Sequence, residues 1–391
     1  MIFVAGAVFI LLFPLSDQGS VALVLGIAFL IVVSCLLRRR FPAVNGKDGL
    51  FLAYAGFALL PLVSDPSQTP YFVGIVVYPW LISFVFQNIR YDERRVQLYL
   101  YALMAVSILL GAFMVFQVAP LQFDFSLTHL VSLDRGQGFF FRDEDRVGPN
   151  TVAYVSAAAI VFVLTYLKFS RDHTSFLLYG ILMIPTLFLV VSGGRNAWVG
   201  TTVCFIAFLL YRSGIRSQNL VRAFQATLII AAVAVTAYLT SVAVSAFHGD
   251  TFANRLRGLA DLGSDETTQV RLLYWADAIT LSLRAPWGVG FNEYFSRYDR
   301  SPHNELLGQM LGAGWLGAVV YFVLLAFLWH RVLRMDRTNR MSNQIRFACL
   351  CLLVVATLAM VTENISRSTI NSFSTVFWIS MGMAFGIQNQ R

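Results

Sequence analysis

The stretch Leu306-LGQMLGAGWLGAVVYFVLLAFL-Trp329 runs from residue 306 to 329 without one charged side chain. About 20 apolar residues suffice to cross a bilayer as a helix, so this segment reads as a membrane span. The rest of the 391-residue chain has the same character: 57% of its residues are hydrophobic, only 13% are charged, and mean hydropathy is +0.67. A soluble domain carries roughly a quarter of its residues as charges, which excludes that class here. The fold expected is therefore all-α, a polytopic membrane protein forming one integral membrane domain over 1–391. Apolar runs between polar breaks give about twelve transmembrane helices, at 1–15, 20–37, 49–63, 70–89, 97–118, 149–167, 176–192, 195–211, 223–247, 303–329, 347–362 and 370–387. The first run lacks a charged leader and a cleavage site and reads as a retained helix. Membrane lipids are thus the first expected partner.

Orientation follows from the basic residues, which mark cytoplasmic connections. Arg38, Arg39, Arg40 and Lys47 precede the third span, Arg90, Arg94 and Arg95 follow the fourth, and Lys168 and Arg171 follow the sixth. Arg212, Arg216 and Arg222, then Arg331, Arg334, Arg337, Arg340 and Arg346, continue the pattern on alternate connections. An even span count with both termini cytoplasmic satisfies every short connection. The net charge of +8 is accounted for by this topology and calls for no nucleic acid. Cys35, Cys204, Cys349 and Cys351 all lie in apolar runs and read as packing residues without metal spacing.

Two connections on the opposite face are long, a smaller one at 119–148 and a larger one at 248–302. In the larger, Leu272, Tyr274, Trp275, Ala278 and Ile279 recur with helical spacing, predicting short amphipathic helices that lie on the membrane or cap a cavity. Gly288 and Gly290 in Trp287-Gly-Val-Gly-Phe291 break that pattern and start a turn. No strand precedes them, so a dinucleotide loop is rejected.

Three residues on this face carry chemistry. Arg195 follows Ser192-Gly193-Gly194 and opens the eighth span. It is either a helix-end arginine with a snorkelling stem or a phosphate ligand beside backbone N–H groups that the two glycines leave accessible at a helix N-terminus. Arg271 is either a solvated loop residue or a bidentate phosphate fork. His303 lies in Ser301-Pro-His-Asn-Glu305. Ser301 as N-cap and Pro302 at the first helical position would place His303 in the first turn, where the helix dipole helps to keep the ring neutral. It is then either a capping histidine or a general base.

The order Ser192-Gly-Gly-Arg195, Arg271 with Trp275, Pro286-Trp-Gly-Val-Gly290 and His303-Asn304 before a glycine-rich helix resembles the O-antigen ligase and polymerase superfamily. Arg146-Val-Gly-Pro-Asn150 is similar to that family's pattern too, while Gly-Gly stands before Arg195 where Ser-Arg is more usual. The resemblance implies a C-type glycosyltransferase-like membrane enzyme at the periplasmic face of a bacterial inner membrane. Its donor is a glycan on undecaprenyl pyrophosphate, and its acceptor is lipid A core or a second lipid-linked glycan. By motif, Arg195 and Arg271 bind the donor pyrophosphate and His303 acts on the acceptor hydroxyl. Gly193, Gly194, Arg146, Asn150, Trp275, Asn304, Gly288 and Gly290 are supporting candidates, and no cofactor or metal is implied.

Other clusters have blander readings. Asp143-Glu144-Asp145, between Arg142 and Arg146, is either an ion-paired loop or a cation site. Asp265, Glu266 and Asp299 are reserve bases, and Glu363, Asn364 and Arg367 are candidates for lining the same outer cavity. A transporter, the competing class, would show ionisable residues or broken helices near the midplane. The sequence places its charges at outer helix ends instead and shows no internal repeat.

Overall fold

The computed structural model describes residues 44–116, 149–169, 175–192, 194–212, 266–298, 302–361 and 372–390, with Gly26. These residues are helical with no strand among them. The helices are α1 (Gly46–Ala58), α2 (Leu60–Ser64), α3 (Thr69–Phe72) running through a π-turn (Val73–Val77) into α4 (Tyr78–Gln87), and α5 (Glu93–Phe116). They continue with α6 (Pro149–Phe169), α7 (Ser175–Ser192), α8 (Arg195–Arg212), α9 (Glu266–Arg284), α10 (Glu293–Tyr298), α11 (Glu305–Leu333), α12 (Arg340–Met360) and α13 (Ser372–Asn389). Five stretches among the described residues are long and apolar enough to cross a membrane: Gly46–Ser64, Pro66–Gln87, Val152–Phe169, Glu305–Leu333 and Arg340–Met360. The spans read at 1–15, 20–37 and 223–247 and the loop at 119–148 lie outside the described residues. So do Asp143–Asp145, Asp265, Asp299 and the cluster Glu363, Asn364 and Arg367.

The chain forms two compact units, Met1–Leu98 with Glu266–Arg391, and Tyr99–Asp265. In the second, α6 is flanked by α7 and α8. Its residues from Val152 to Leu164 are buried all round, as an unbroken apolar sequence requires. Trp198 of α8 donates its indole N–H to Leu189 O of α7 at 2.7 Å, which fastens the turn that leads into Arg195.

In the first unit α1 and α11 run antiparallel: Gly46 meets Phe327, Tyr54 meets Tyr321 with ring centroids 5.4 Å apart, and Gly317 meets Phe57. Small residues let α13 approach α4, where Gly382 faces Ser83 and Phe86, the kind of close contact that replaces hydrophobic driving force inside a bilayer. The basic ends collect on one side of this unit. Arg340 pairs with Glu93 at 3.3 Å, Gln388 Nε2 donates to Arg331 O at 3.0 Å, and Gln390 Nε2 donates to Ile89 O at 2.9 Å. The segments 64–68 and 286–292 meet on the other side.

One basic residue departs from that reading. Lys47 is not a solvated loop cation: it lies in the first turn of α1 and is fully buried. Its Nζ donates to Ser83 Oγ at 2.7 Å, stands 3.4 Å from Asp48 Oδ1, and lies over the rings of Phe51 and Phe385. Asp48 in turn accepts from Gln87 Nε2, Trp80 Nε1 and Asn45 N. A buried charge persists only when paired and hydrogen-bonded, and this set meets that condition.

The second departure concerns the stretch that defines the fold. Residues 303–329 do not form one continuous rod, because Gly314 takes φ 75° and ψ 178° in the middle of α11. Gln309 and Tyr321 would stand about 18 Å apart along an unbroken helix. Both nevertheless reach Tyr54, Gln309 by accepting its hydroxyl and Tyr321 by ring contact. The chain therefore folds back at Gly314, leaving a half-helix Glu305–Ala313 beside the spanning half. The turn 286–290 fills the break. Leu311 O, which loses its helical partner, accepts from Val289 N at 2.7 Å and Gly290 N at 3.1 Å, and Trp315 N donates to Pro286 O at 2.9 Å. Irregular backbone at membrane depth is tolerated when other protein groups satisfy it.

Candidate active site

In the first unit α9 pairs with the half-helix and with the start of the spanning half. Trp315 Nε1 donates to Ser282 O at 3.1 Å, a separation of 33 residues. Ala278 and Leu311 belong to one buried cluster with Leu307 and Tyr294, packed by Tyr274, Trp275, Val289 and Met310. The two helices thus run parallel. α9 ends beside Gly314 and its Tyr274–Ala278 stretch packs against Leu307 and Leu311, so the turn of α9 that carries Arg271 lies toward the start of the half-helix. Arg271 is half-buried on α9 rather than free in a loop. The amphipathic helix expected in this segment is therefore present, with Leu272, Ile279 and Leu283 exposed on its other face.

His303 is positioned differently from the sequence expectation. Asn304, not Ser301, is the N-cap: its side chain accepts from Leu307 N at 3.1 Å and donates to Val361 O at 2.9 Å. An asparagine caps as well as a serine, and the added tie to the end of α12 selects it. Pro302 and His303 therefore precede the helix, and Ser301 lies outside the described residues. His303 takes φ 48°, a left-handed backbone that costs a non-glycine residue about 1–3 kcal/mol and tends to occur at functional turns. Its imidazole is half-buried.

Gly288 and Gly290 have a structural task. Both have positive φ, 87° and 99°. A Cβ on Gly288 would lie 2.6 Å from Gly314 N, and one on Gly290 would lie 2.8 Å from Gln68 Cδ. They let the turn enter the helix break, so their contribution to any ligand is indirect.

Gln68 is a residue the sequence reading missed. It is buried at 2% exposure, its Oε1 accepts from Asn292 N at 2.8 Å and its Nε2 donates to Asp65 Oδ2 at 2.8 Å. Asp65 also accepts from Ser67 N and Ser67 Oγ, and these bonds hold its carboxyl below the ordinary carboxylate range. The lowered value fixes the sign of a pH effect. The latch is intact above the ordinary range, and its stabilisation is lost only as pH falls through the lowered value. Asp65→Asn is therefore expected to lower the thermal midpoint of the detergent-solubilised protein at pH 7. The difference from wild type should persist down to the ordinary carboxylate range near about pH 4 and vanish only well below it. An undiminished difference there would show that Asp65 does not act through its charge.

Glu305, Gln309 and Tyr54 were missed as well. The signal was available: polar residues four apart inside an apolar run are expensive in a membrane and mark function. Two further polar atoms near α9, Trp275 Nε1 and Asn292 Oδ1, are buried without a hydrogen-bond partner.

The remaining candidates belong to the second unit. Arg195 is the first residue of α8, where the sequence puts it, and Gly194 before it is buried rather than open. Asn150 lies in the first turn of α6. Gly193 and Arg146 lie outside the described residues. Arg271, Trp275, His303 and Asn304 belong to the first unit.

No curated protein matches the chain. Residues 178–322, which run from α7 into the spanning half of α11, match the family model described as O-antigen ligase, the superfamily that the order of Arg195, Arg271 and His303-Asn304 resembles.

Proposed function

We propose that this membrane protein transfers a glycan from undecaprenyl pyrophosphate to the lipid A core, as an inverting, metal-independent glycosyltransferase of the O-antigen ligase type. The single observation that supports the reading is the packing of α9, which carries Arg271, against the half-helix that His303 and Asn304 precede, in a chain whose family match covers all three. In this reading twelve spans cross a bacterial inner membrane, both termini are cytoplasmic and the site is periplasmic.

The chemistry needs no further energy source, because a sugar 1-pyrophosphate is already activated. The acceptor oxygen attacks the anomeric carbon as the bond from that carbon to the phosphate oxygen breaks. The departing diphosphate gains negative charge, which Arg271 and Arg195 stabilise in place of a metal. The acceptor hydroxyl loses its proton to a ring nitrogen of His303 late in the step. Attack from the face opposite the diphosphate inverts the anomeric centre, with no covalent enzyme intermediate. The unpaired Trp275 N–H and Asn292 oxygen offer a donor and an acceptor of the kind sugar hydroxyls satisfy.

The broken α11 and the buried charges Lys47, Asp48 and Glu305 are features of a kind transporters also use. Here, however, the groups freed at the break are taken by the 286–290 turn and not left for an ion. Reconstitution into vesicles with an undecaprenyl-pyrophosphate glycan, offering lipid A core and a second lipid-linked glycan as rival acceptors, tests the proposal. Glycosylated core is the expected product. Lengthened lipid-linked chains would mean a polymerase, and no product from folded protein would overturn the transfer reading. A chelator should leave the rate unchanged; a large loss would revive the acidic loop Asp143–Asp145 as a cation site.

A further inference from the structure

Glu305 is the first residue of α11 and is buried at 1% exposure, one position after the Asn304 cap and two after His303. Its Oε1 accepts from Gln309 Nε2 at 2.9 Å, its carboxylate is also hydrogen-bonded to the hydroxyl of Tyr321, and Gln309 Oε1 accepts the hydroxyl of Tyr54. Tyr54 sits on α1, is fully buried and packs on Tyr321 of the spanning half of α11. A polar set of four side chains, Glu305, Gln309, Tyr54 and Tyr321, therefore ties the start of the half-helix to both walls that flank it. The other end of the half-helix is held by the turn 286–290 in the break at Gly314. Nothing in packing alone requires a carboxylate here. A glutamate and a glutamine at this depth are costly to bury, and in the first turn a carboxylate also meets backbone N–H groups at the positive end of the helix dipole.

We propose that Glu305 is a positioning residue for the His303-Asn304 turn, acting through Gln309 and Tyr54 to fix where the half-helix begins and so where the imidazole stands. The role rests on the transfer reading above. The His303 turn is backbone-strained and its cap is shared with α12, so a shift of the half-helix along its axis moves the imidazole directly. A misplacement of about 1 Å at a reacting group lowers rate on the order of a hundredfold.

The test is steady-state transfer by the full-length protein in vesicles, with donor and acceptor concentrations varied separately. Glu305→Ala is expected to lower kcat by about 100-fold with donor KM unchanged within about twofold. Glu305→Gln keeps an oxygen to accept from Gln309 and should recover most of that loss. Tyr54→Phe removes only the hydroxyl at the far end of the chain. It should lower kcat by roughly three- to tenfold and add little in the Glu305→Gln background if both act through Gln309. Full kcat in Tyr54→Phe, or a loss in Glu305→Ala confined to donor KM or to the amount of folded protein, overturns the proposal. If Glu305→Ala does not fold, Tyr54→Phe and Glu305→Gln decide by the same criteria. Failure of the transfer reading is separable: wild type then gives no product, whereas failure of this proposal leaves wild-type transfer intact.

Discussion

Replacing His303 by asparagine is expected to lower kcat for glycan transfer by about 10²- to 10⁴-fold, the range that a positioned acid–base group contributes. Asparagine is the informative substitution. It tolerates a left-handed backbone and so keeps the φ of 48° seen at this position, while offering no side-chain base of comparable strength. Loss of transfer with normal membrane insertion would thus report on the imidazole and not on the turn. Arg271→Ala and Arg195→Ala should each cost on the order of 10²–10³ in kcat, as removal of a group that stabilises developing charge does. Arg271→Lys should recover only part of the loss, since an ammonium keeps the charge but not the planar fork. Rates and folded yield measured on the same vesicle preparations separate the outcomes. Full transfer in His303→Asn, Arg271→Ala and Arg195→Ala together would remove all three from the site.

The reach of the sequence differs from element to element. The start of α8 at Arg195 was legible because Gly193-Gly194 ends one apolar run and a second begins at once. The amphipathic α9 was legible from the helical spacing of Tyr274, Trp275 and Ala278, since a helix with one buried face must show that period. The grouping of Arg331, Arg340 and the stretch around Arg90 was legible because the positive-inside rule marks connections of one kind, and these ends meet at one side of the first unit. Lys47 escaped because the rule counts charges without asking where they sit, and the partners that allow its burial, Ser83 and Gln87, are remote in sequence. The cap before α11 was misplaced by three residues for a similar reason. Ser301-Pro302 is the better local signal, but Asn304 gains a bond to Val361 that no local pattern reveals. Gln68 was invisible because its two partners, Asp65 and Asn292, give it meaning only once the turn 286–292 has docked.

The break in α11 was the least legible feature and supports the largest structural expectation. Gly312-Ala-Gly314 inside an apolar run reads as a small-residue packing stripe, and only its environment makes Gly314 indispensable. At φ 75° and ψ 178° the backbone lies where residues with a Cβ are strained by about 1–3 kcal/mol. A Cβ would also stand 2.6 Å from Trp287 C and 2.7 Å from Pro286 O, both backbone atoms that cannot swing aside. Overpacking of that kind adds about 1–3 kcal/mol, so Gly314→Ala should destabilise the protein by roughly 2–6 kcal/mol in total. Gly56 in α1 is the matched control: nothing lies within 4 Å of its Cβ position, and alanine there should be neutral or slightly stabilising in a helix. Gly312→Ala meets the ring of Phe291, a side chain and not backbone, and should fall between the two. Thermal unfolding in detergent ranks the three variants. Expelling the 286–290 turn also frees the half-helix that carries His303, so whatever Gly314→Ala protein folds should transfer glycan far more slowly than its folded fraction predicts. If Gly314→Ala matches Gly56→Ala in both stability and transfer rate, then α11 is a continuous span and the docked turn has no part in holding His303.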